Sequence, residues 1–218
     1  MENYDDYLVA FLDILGFKEM IDKYSCNDIY ELFFSIEKKN PRSPIVFDDA
    51  KKNIPYDKVS KIIMSDSVIL YIKTEERNSL NAIIAFCRFL ANALIKRDIP
   101  VLMRGGIARG KFFASDQYYF GEALNTAYNL QEKAAQNPRI IFFDGIKKSL
   151  DFNMEYYKED TYRDDDGFSC VNYLYPTGEA SANKIQNYCK EILNKIVDKS
   201  IREKHLYLYN LVERCCKK

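Results

Sequence analysis

Residues 7–17 read Tyr-Leu-Val-Ala-Phe-Leu-Asp-Ile-Leu-Gly-Phe. The apolar run over 7–12, bounded by Asp13 and followed by Gly16, predicts a buried strand that enters a tight turn. Beyond Phe17 the spacing of Met20, Ile21 and Tyr24, and then of Ile29, Leu32, Phe33 and Ile36 behind Asn27 as a cap, is helical. Two β-prone runs, 59–64 and 68–72, flank Ser65-Asp66-Ser67, which predicts a hairpin with Asp66 at its turn and both strands central in a sheet. Ser79 caps a strongly apolar helix running to about Arg97, Pro100 ends it, and 101–107 begins a strand that leads to Gly110. The order β, α, β, β, α, β is that of a ferredoxin-like unit, an antiparallel sheet with helices on one face, so the expected class is α+β.

Further along, a hairpin over 111–120, a helix over 121–136 and a strand over 139–143 complete a core of residues 1–145. The remaining 146–218 turn acidic and tyrosine-rich. There the turn Asp164-Asp165-Asp166-Gly167 separates two short strands, and helices over 182–199 and 202–216 form an extension expected to pack on the core or on a partner subunit. The stretch 40–56, with Pro41, Pro44 and Pro55, is assigned to loop bordering the site.

Composition removes several classes of function. The 218 residues suit one well-buried domain with an appendage. Lysine plus arginine equals aspartate plus glutamate, 32 against 32, so no bulk positive field exists to hold a nucleic acid. The most apolar stretch, 83–94, is interrupted by Cys87, Arg88 and Asn92 and falls short of the roughly 20 apolar residues of a bilayer span. Glu2, Asn3, Asp5 and Asp6 stand where a signal peptide would be basic, and a cytoplasmic location is expected. The six cysteines lack C-x-x-C spacing and His205 is the single histidine, which argues against a structural zinc site and against histidine-dependent hydrolases. The cysteines read as reduced packing thiols, and His205 as a satisfied structural side chain.

Two acidic positions remain as candidates for chemistry. In 11–17 a carboxylate ends a strand and a glycine turn opens a helix, so unsatisfied amides can cradle phosphates while Asp13 holds a cation; the same pattern serves equally as a helix cap. Asp66 at the hairpin tip is by itself an ordinary polar turn. In the ferredoxin-like order the first strand neighbours that hairpin, so the two carboxylates converge at one edge. Such a pair suits Mg²⁺ or Mn²⁺ and two-metal activation of a ribose hydroxyl.

Residues 11–17 resemble the F-x-D-x-x-G-F motif of class III adenylate and guanylate cyclases, and Ser65-Asp66 resembles that family's second metal motif. Residues 102–110 (Leu-Met-Arg-Gly-Gly-Ile-Ala-Arg-Gly) are similar to its L-R-x-G-I-x-x-G strand, and 121–125 (Gly-Glu-Ala-Leu-Asn) to its G-x-x-V-N segment. A closer likeness, through Gly121 to Leu130 and Pro138-Arg139-Ile140, is to the stand-alone pyrimidine cyclases of Pycsar anti-phage systems. The resemblance implies a ferredoxin-like domain of the cyclase type, with Asp13 and Asp66 as ligands to two Mn²⁺ or Mg²⁺ ions and the Ile14 carbonyl assisting. It further implies phosphates on the amides of Leu15, Gly16 and Phe17, Asn125 at the ribose, and a homodimer with interfacial sites. The substrate would be a nucleoside triphosphate, UTP or CTP, whose cyclic product signals to a separate effector.

Three positions depart from the family pattern. Asn129 stands where its transition-state arginine would be, leaving Arg104, Arg109, Lys133 and Arg139 as candidate substitutes. Ile62 and Tyr118 occupy the base-reading positions, where neither purine code is present; each is equally readable as packing. A cyclase-fold nucleotide sensor without turnover is the main rival. An RNA-binding module is disfavoured because the central strands lack aromatic platforms.

Overall fold

The computed structural model describes residues 3–38, 54–150, 159–175 and 177–216. The site-bordering loop expected over 40–56 falls almost wholly outside them. The elements in order are β1 (Asp5–Ile14), α1 (Phe17–Lys23), α2 (Cys26–Lys38), β2 (Ser60–Met64), β3 (Ser67–Lys73), α3 (Ser79–Ile95), β4 (Met103–Ala114), β5 (Tyr119–Gly121) and α4 (Glu122–Asn129). They continue as β6 (Ile140–Phe142), α5 (Gly145–Ser149), β7 (Thr161–Arg163), β8 (Ser169–Val171), α6 (Glu179–Lys195) and α7 (Lys199–Cys216). The strands form one sheet in the order β2-β3-β1-β4-β6-β8-β7, with β5 paired to β4. Its first four members reproduce the ferredoxin-like arrangement. Every pairing is antiparallel except β4 with β6, so the class is α+β as expected.

Strand β1 pairs with β3 from Tyr7↔Lys73 to Asp13↔Ser67 and with β4 from Asp5↔Phe112 to Ile14↔Met103. Side chains therefore alternate between two covered faces. Leu8, Ala10, Leu12 and Ile14 join Leu70, Ile72 and the buried stripe of α3 (Leu80, Ile83, Phe86, Cys87, Leu90, Leu94). Val9 faces the other way, in a second cluster with Ile69, Ala108, Phe112, Ala123 and Ala127. The expectation of helices on one face is thus corrected: α4 covers the face opposite α3. The small side chains Ala123 and Ala127 and the bare backbone of Gly106 allow that close approach, which helical periodicity cannot report. The hairpin is also less central than expected, since β2 lies at the end of the described sheet.

Local signals mostly sit where the sequence places them, with the caps shifted. Ser25, rather than Asn27, begins α2: its Oγ accepts from the Asp28 amide, and the Asp28 carboxylate accepts from the Ser25 amide and hydroxyl. Ser79 is the first helical residue of α3, behind Asn78 in the left-handed region at φ 62°. Gly110 does not end a strand, because β4 keeps pairing with β1 past it as far as Phe112. Pro100 does close the α3 exit, and the Val101 amide returns to the Leu94 carbonyl at 3.1 Å.

The acidic segment extends the same sheet, β8 pairing with β6 through Ile141↔Cys170. Helices α6 and α7 add Ala182, Ile185, Cys189, Leu208, Leu211 and Val212 to the α3-side cluster. All six cysteines are free thiols, and burial pushes those of Cys87, Cys170 and Cys189 up, in keeping with packing roles. Cys215 and Cys216 belong to the last turn of α7 and pack partly against the core rather than fraying.

Asp164 ties this region together. Its carboxylate accepts from Arg139 at 2.6 Å, Tyr207 at 2.7 Å and Arg214 at 3.1 Å. Tyr207 spends its one proton there, so Tyr162 donates to the Tyr207 oxygen at 2.9 Å. Burial pushes the Asp164 carboxyl up, but the bonds from Tyr207, Arg139 and Arg214 outweigh it and hold it below the usual carboxylate range. Asp166, bonded by Arg139, is lowered as well. A depressed carboxyl contributes stability that is complete above its unfolded value, about 3.9, and is lost as pH falls through the lower folded value. Acid unfolding, followed by circular dichroism, is therefore expected to steepen below about pH 4. Asp164→Asn should flatten that limb and cost about 1–3 kcal/mol at pH 7 in urea titrations, because Arg139, Tyr207 and Arg214 lose their shared charged acceptor while Asp166 still holds Arg139.

Candidate active site

The two acidic positions meet at one end of the sheet. Asp13 closes β1 on the α4 side, directly across from Ser67 on β3 and Arg104 on β4. Asp66 precedes Ser67 in the two-residue turn between β2 and β3, where Ser65 takes φ 55°. The Asp66 carbonyl accepts from the Ile14 amide at 2.9 Å, so the backbones carrying both acids are bonded to each other. Among the described residues no group of three or more His, Cys, Asp or Glu side chains gathers around a point. The donor set at this end is two carboxylates and the main-chain carbonyl of Ile14, hard oxygens of the kind Mg²⁺ or Mn²⁺ accepts.

Arg104 is part of the same constellation. Its Nε donates to Asp13 Oδ2 at 2.8 Å, both side chains being less than a fifth exposed. With the buried Gln131 amide oxygen turned toward it, the guanidinium also donates to that oxygen from Nε and Nη2 at 2.9 Å. Glu132 lies 3.7 Å from Nη2. Gln131 and Glu132 come from a widened turn, Leu130–Ala134, in which the helix beyond α4 becomes a π-helix and the Ala135 amide bonds the Leu130 carbonyl at 2.9 Å. Such turns recur at functional sites because they re-aim side chains. Helical spacing over 121–136 holds no signal for it, and sequence reasoning did not single out Gln131 or Glu132.

The glycine turn is present, with a change in its donors. Gly16 adopts φ 75°, open to glycine at no steric cost, and its carbonyl accepts from Met20 at 3.1 Å. The Leu15 amide, expected to face a phosphate, is instead committed to the Leu102 carbonyl at 2.9 Å. The amides of Gly16 and Phe17 remain for that role, and the buried Phe17 ring packs against Phe33.

The other expected positions scatter. Asn125 and Asn129 are both exposed on α4, Asn125 about 9 Å along the axis from Gln131 at 1.5 Å per residue. Ile62 packs in the second apolar cluster across from Ile69. Tyr118, 64 % exposed, lies beyond the far end of β4, whose length from Arg104 to Ala114 is about 33 Å at 3.3 Å per residue. Among the alternative cations, Arg109 bonds Asp6 and Arg139 is buried in the Asp164 network, whereas Arg104 is in contact with Asp13. One chain thus brings the backbones bearing Asp13 and Asp66 together beside Arg104 and the glycine turn, and holds Tyr118 well away from them.

Comparison with known proteins gives the class. No protein-family model and no curated protein matches the sequence. Among solved structures, the monomeric guanylyl cyclase domain of the RhoGC fusion protein from the aquatic fungus Blastocladiella emersonii is similar at TM-score 0.56 and 14 % identity, over 78 % of this chain and 96 % of that one. The catalytic core of a rhodopsin-guanylyl cyclase with converted specificity, in complex with ATPαS, is similar at 0.54 and 13 %, over 78 % and 96 %. The guanylyl cyclase Cya2 is similar at 0.52 and 12 %, over 81 % and 98 %. The fold is that of class III adenylate/guanylate cyclase domains. Among the described residues, no helix is long and apolar enough to cross a membrane.

Gly106 is where fold and site depend on each other. A Cβ there would fall 2.5 Å from the Ala127 carbonyl oxygen and 2.5 Å from Leu130 Cβ, so the helix bearing Gln131 must lift. Gly106→Ala is expected to cost about 1–3 kcal/mol by urea unfolding. Arg104→Met, which leaves the helix seat intact, should cost less.

Proposed function

We propose that this chain is a metal-dependent nucleotide cyclase that closes a nucleoside triphosphate, UTP by preference, into its 3′,5′-cyclic monophosphate with release of pyrophosphate. The observation that carries the reading is the meeting of Asp13 and Asp66 through the Ile14–Asp66 backbone bond, beside Arg104 and the Gly16 turn, on a cyclase fold. Asp13, Asp66 and the Ile14 carbonyl would hold two Mg²⁺ or Mn²⁺ ions. When bound, those ions shield the triphosphate and favour ionisation of the ribose 3′-hydroxyl.

The chain's own groups then position and neutralise. The amides of Gly16 and Phe17 bind phosphate oxygens at the start of α1. Arg104, already beside Asp13, is the cation suited to balance charge on the phosphates as the 3′-oxygen attacks the α-phosphorus in line and pyrophosphate leaves. It takes the role that Asn129 cannot. Gln131 and Glu132 offer Arg104 acceptors when an ion competes for Asp13.

The separation of Tyr118 from the carboxylates supports a homodimer, in which a partner's Tyr118 and Asn125 would meet the base and ribose. Ile62 and Tyr118 in place of purine-reading residues, together with the likeness to the Pycsar pyrimidine cyclases, support UTP over the purines and a signalling role in antiviral defence through a separate effector. The exposed Asn129 favours a second reading, a nucleotide-binding protein without turnover.

Incubation of the purified chain with each ribonucleoside triphosphate and Mn²⁺ is expected to yield pyrophosphate and a cyclic monophosphate, fastest from UTP. Asp13→Asn and Asp66→Asn should each slow this roughly 100-fold or more, since several kcal/mol of charge stabilisation is lost. No product from any of the four, with nucleotide binding indifferent to Asp13→Asn, would establish the binding-only reading.

A further inference from the structure

On the α3 side of the sheet, behind the glycine turn, lies a cavity of about 800 Å³ walled by α1, α2, the segment joining α3 to β4, and α7. Its size falls within the roughly 300–1,000 Å³ of small-molecule sites. The wall is mainly apolar, with Met20, Ile29, Leu32 and Leu102 among its side chains, and it carries the cations Lys23, Lys96, Arg97 and Lys204. Two of the three acids there are engaged elsewhere, Asp28 by Ser25 and Asp98 by Lys184. Lys96 is half-buried, and burial pushes its ammonium down, with Cys216 nearby acting the other way.

A second feature of the wall is independent of charge. His205 is 8 % exposed, and its Nδ1 is bonded to the Ile201 carbonyl at 2.8 Å. Burial lowers its pKa, so the ring is neutral at pH 7 and Nδ1 carries the proton. Nε2 is then a bare acceptor, and it has no partner. The expectation of a satisfied histidine is met on one nitrogen only. A buried acceptor without a donor costs about 1–3 kcal/mol, and Nε2 lies closed off from the cavity within its wall.

We propose that this cavity binds a small amphipathic organic anion: an apolar body against Met20, Ile29 and Leu102, and an acidic group at Lys96 and Lys204. No catalytic side chain lines it, so the site is separate from the Asp13–Asp66 end. It does share Leu15 and Gly16 with the glycine turn, and the Leu15–Leu102 backbone bond runs along its wall. An occupant would therefore touch the turn proposed to receive phosphate.

The test is a binding measurement made without nucleotide, so its outcome is independent of whether the chain turns over a triphosphate. 8-Anilinonaphthalene-1-sulfonate serves as the anionic probe and N-phenyl-1-naphthylamine as its neutral analogue, both read by fluorescence. The sulfonate is expected to saturate one site per chain and to bind more tightly than the amine. Lys96→Gln with Lys204→Gln should weaken the sulfonate about tenfold and leave the amine unchanged. Ile29→Trp, which fills the cavity, should abolish both. The thermal midpoint of each variant is measured alongside, so that a loss of binding caused by unfolding is told apart from loss of the site. Failure of the native chain to bind the sulfonate, or equal binding by the native, lysine and Ile29→Trp proteins, would overturn the assignment.

Discussion

Strand β1 is hydrogen-bonded along both edges, to β3 over seven residue pairs and to β4 over ten, and with both ladders in place it can neither slip nor turn over. A one-residue shift would carry Leu8, Ala10, Leu12 and Ile14 out of the α3 side and drive Tyr7, Val9, Phe11 and Asp13 into it. The aliphatic side chains would have to fit the close packing under α4, and a carboxylate would enter an apolar core. The register of one strand therefore decides that Asp13 emerges on the α4 side, across from Arg104 and Ser67. The glycine turn, the hairpin tip and the seat of α4 are all placed relative to that strand.

The site follows from closeness of backbone more than from a cluster of side chains. Gly105 and Gly106 have no Cβ because Leu12 and Phe11 press on one side, and Ala127, Leu130 and Gln131 on the other. Held that close, the π-turn brings Gln131 to the Arg104 guanidinium, which in turn lies on Asp13. A carboxylate and a guanidinium, each less than a fifth exposed, form a charge-assisted bond stronger than a surface pair and weaker than one sealed from water. That intermediate strength would suit the proposed exchange of Asp13 from Arg104 to a divalent ion.

The C-terminal part is joined to the core by polar as well as apolar contacts. Asp164 receives Arg139 from the approach to β6 and Tyr207 and Arg214 from α7, while Arg88 of α3 pairs with Asp160 beside β7. Pairs buried to this degree add little net stability over an apolar filling, but removing one member leaves a charge in the interior. They fix which way α7 lies on the sheet, and so they fix the wall of the cavity that contains His205. Through that wall the C-terminal helices come within reach of the turn at Gly16.

Much of this architecture was legible in the chain. Period-two and period-3.6 patterns placed most strands and helices, though β4 runs on to Ala114, and Asp13, Gly16 and Asp66 stood out because turns and strand ends restrict residue type locally, while Gly106 entered through the family resemblance. The tertiary structure alone decided the rest: α4 on the face opposite α3, β2 at the end of the described sheet, the Leu15 amide committed to Leu102, Gln131 on Arg104, and the bare Nε2 of His205 in a cavity wall. Each of these depends on contacts between segments tens of residues apart, and periodicity records whether a residue is covered without recording what covers it.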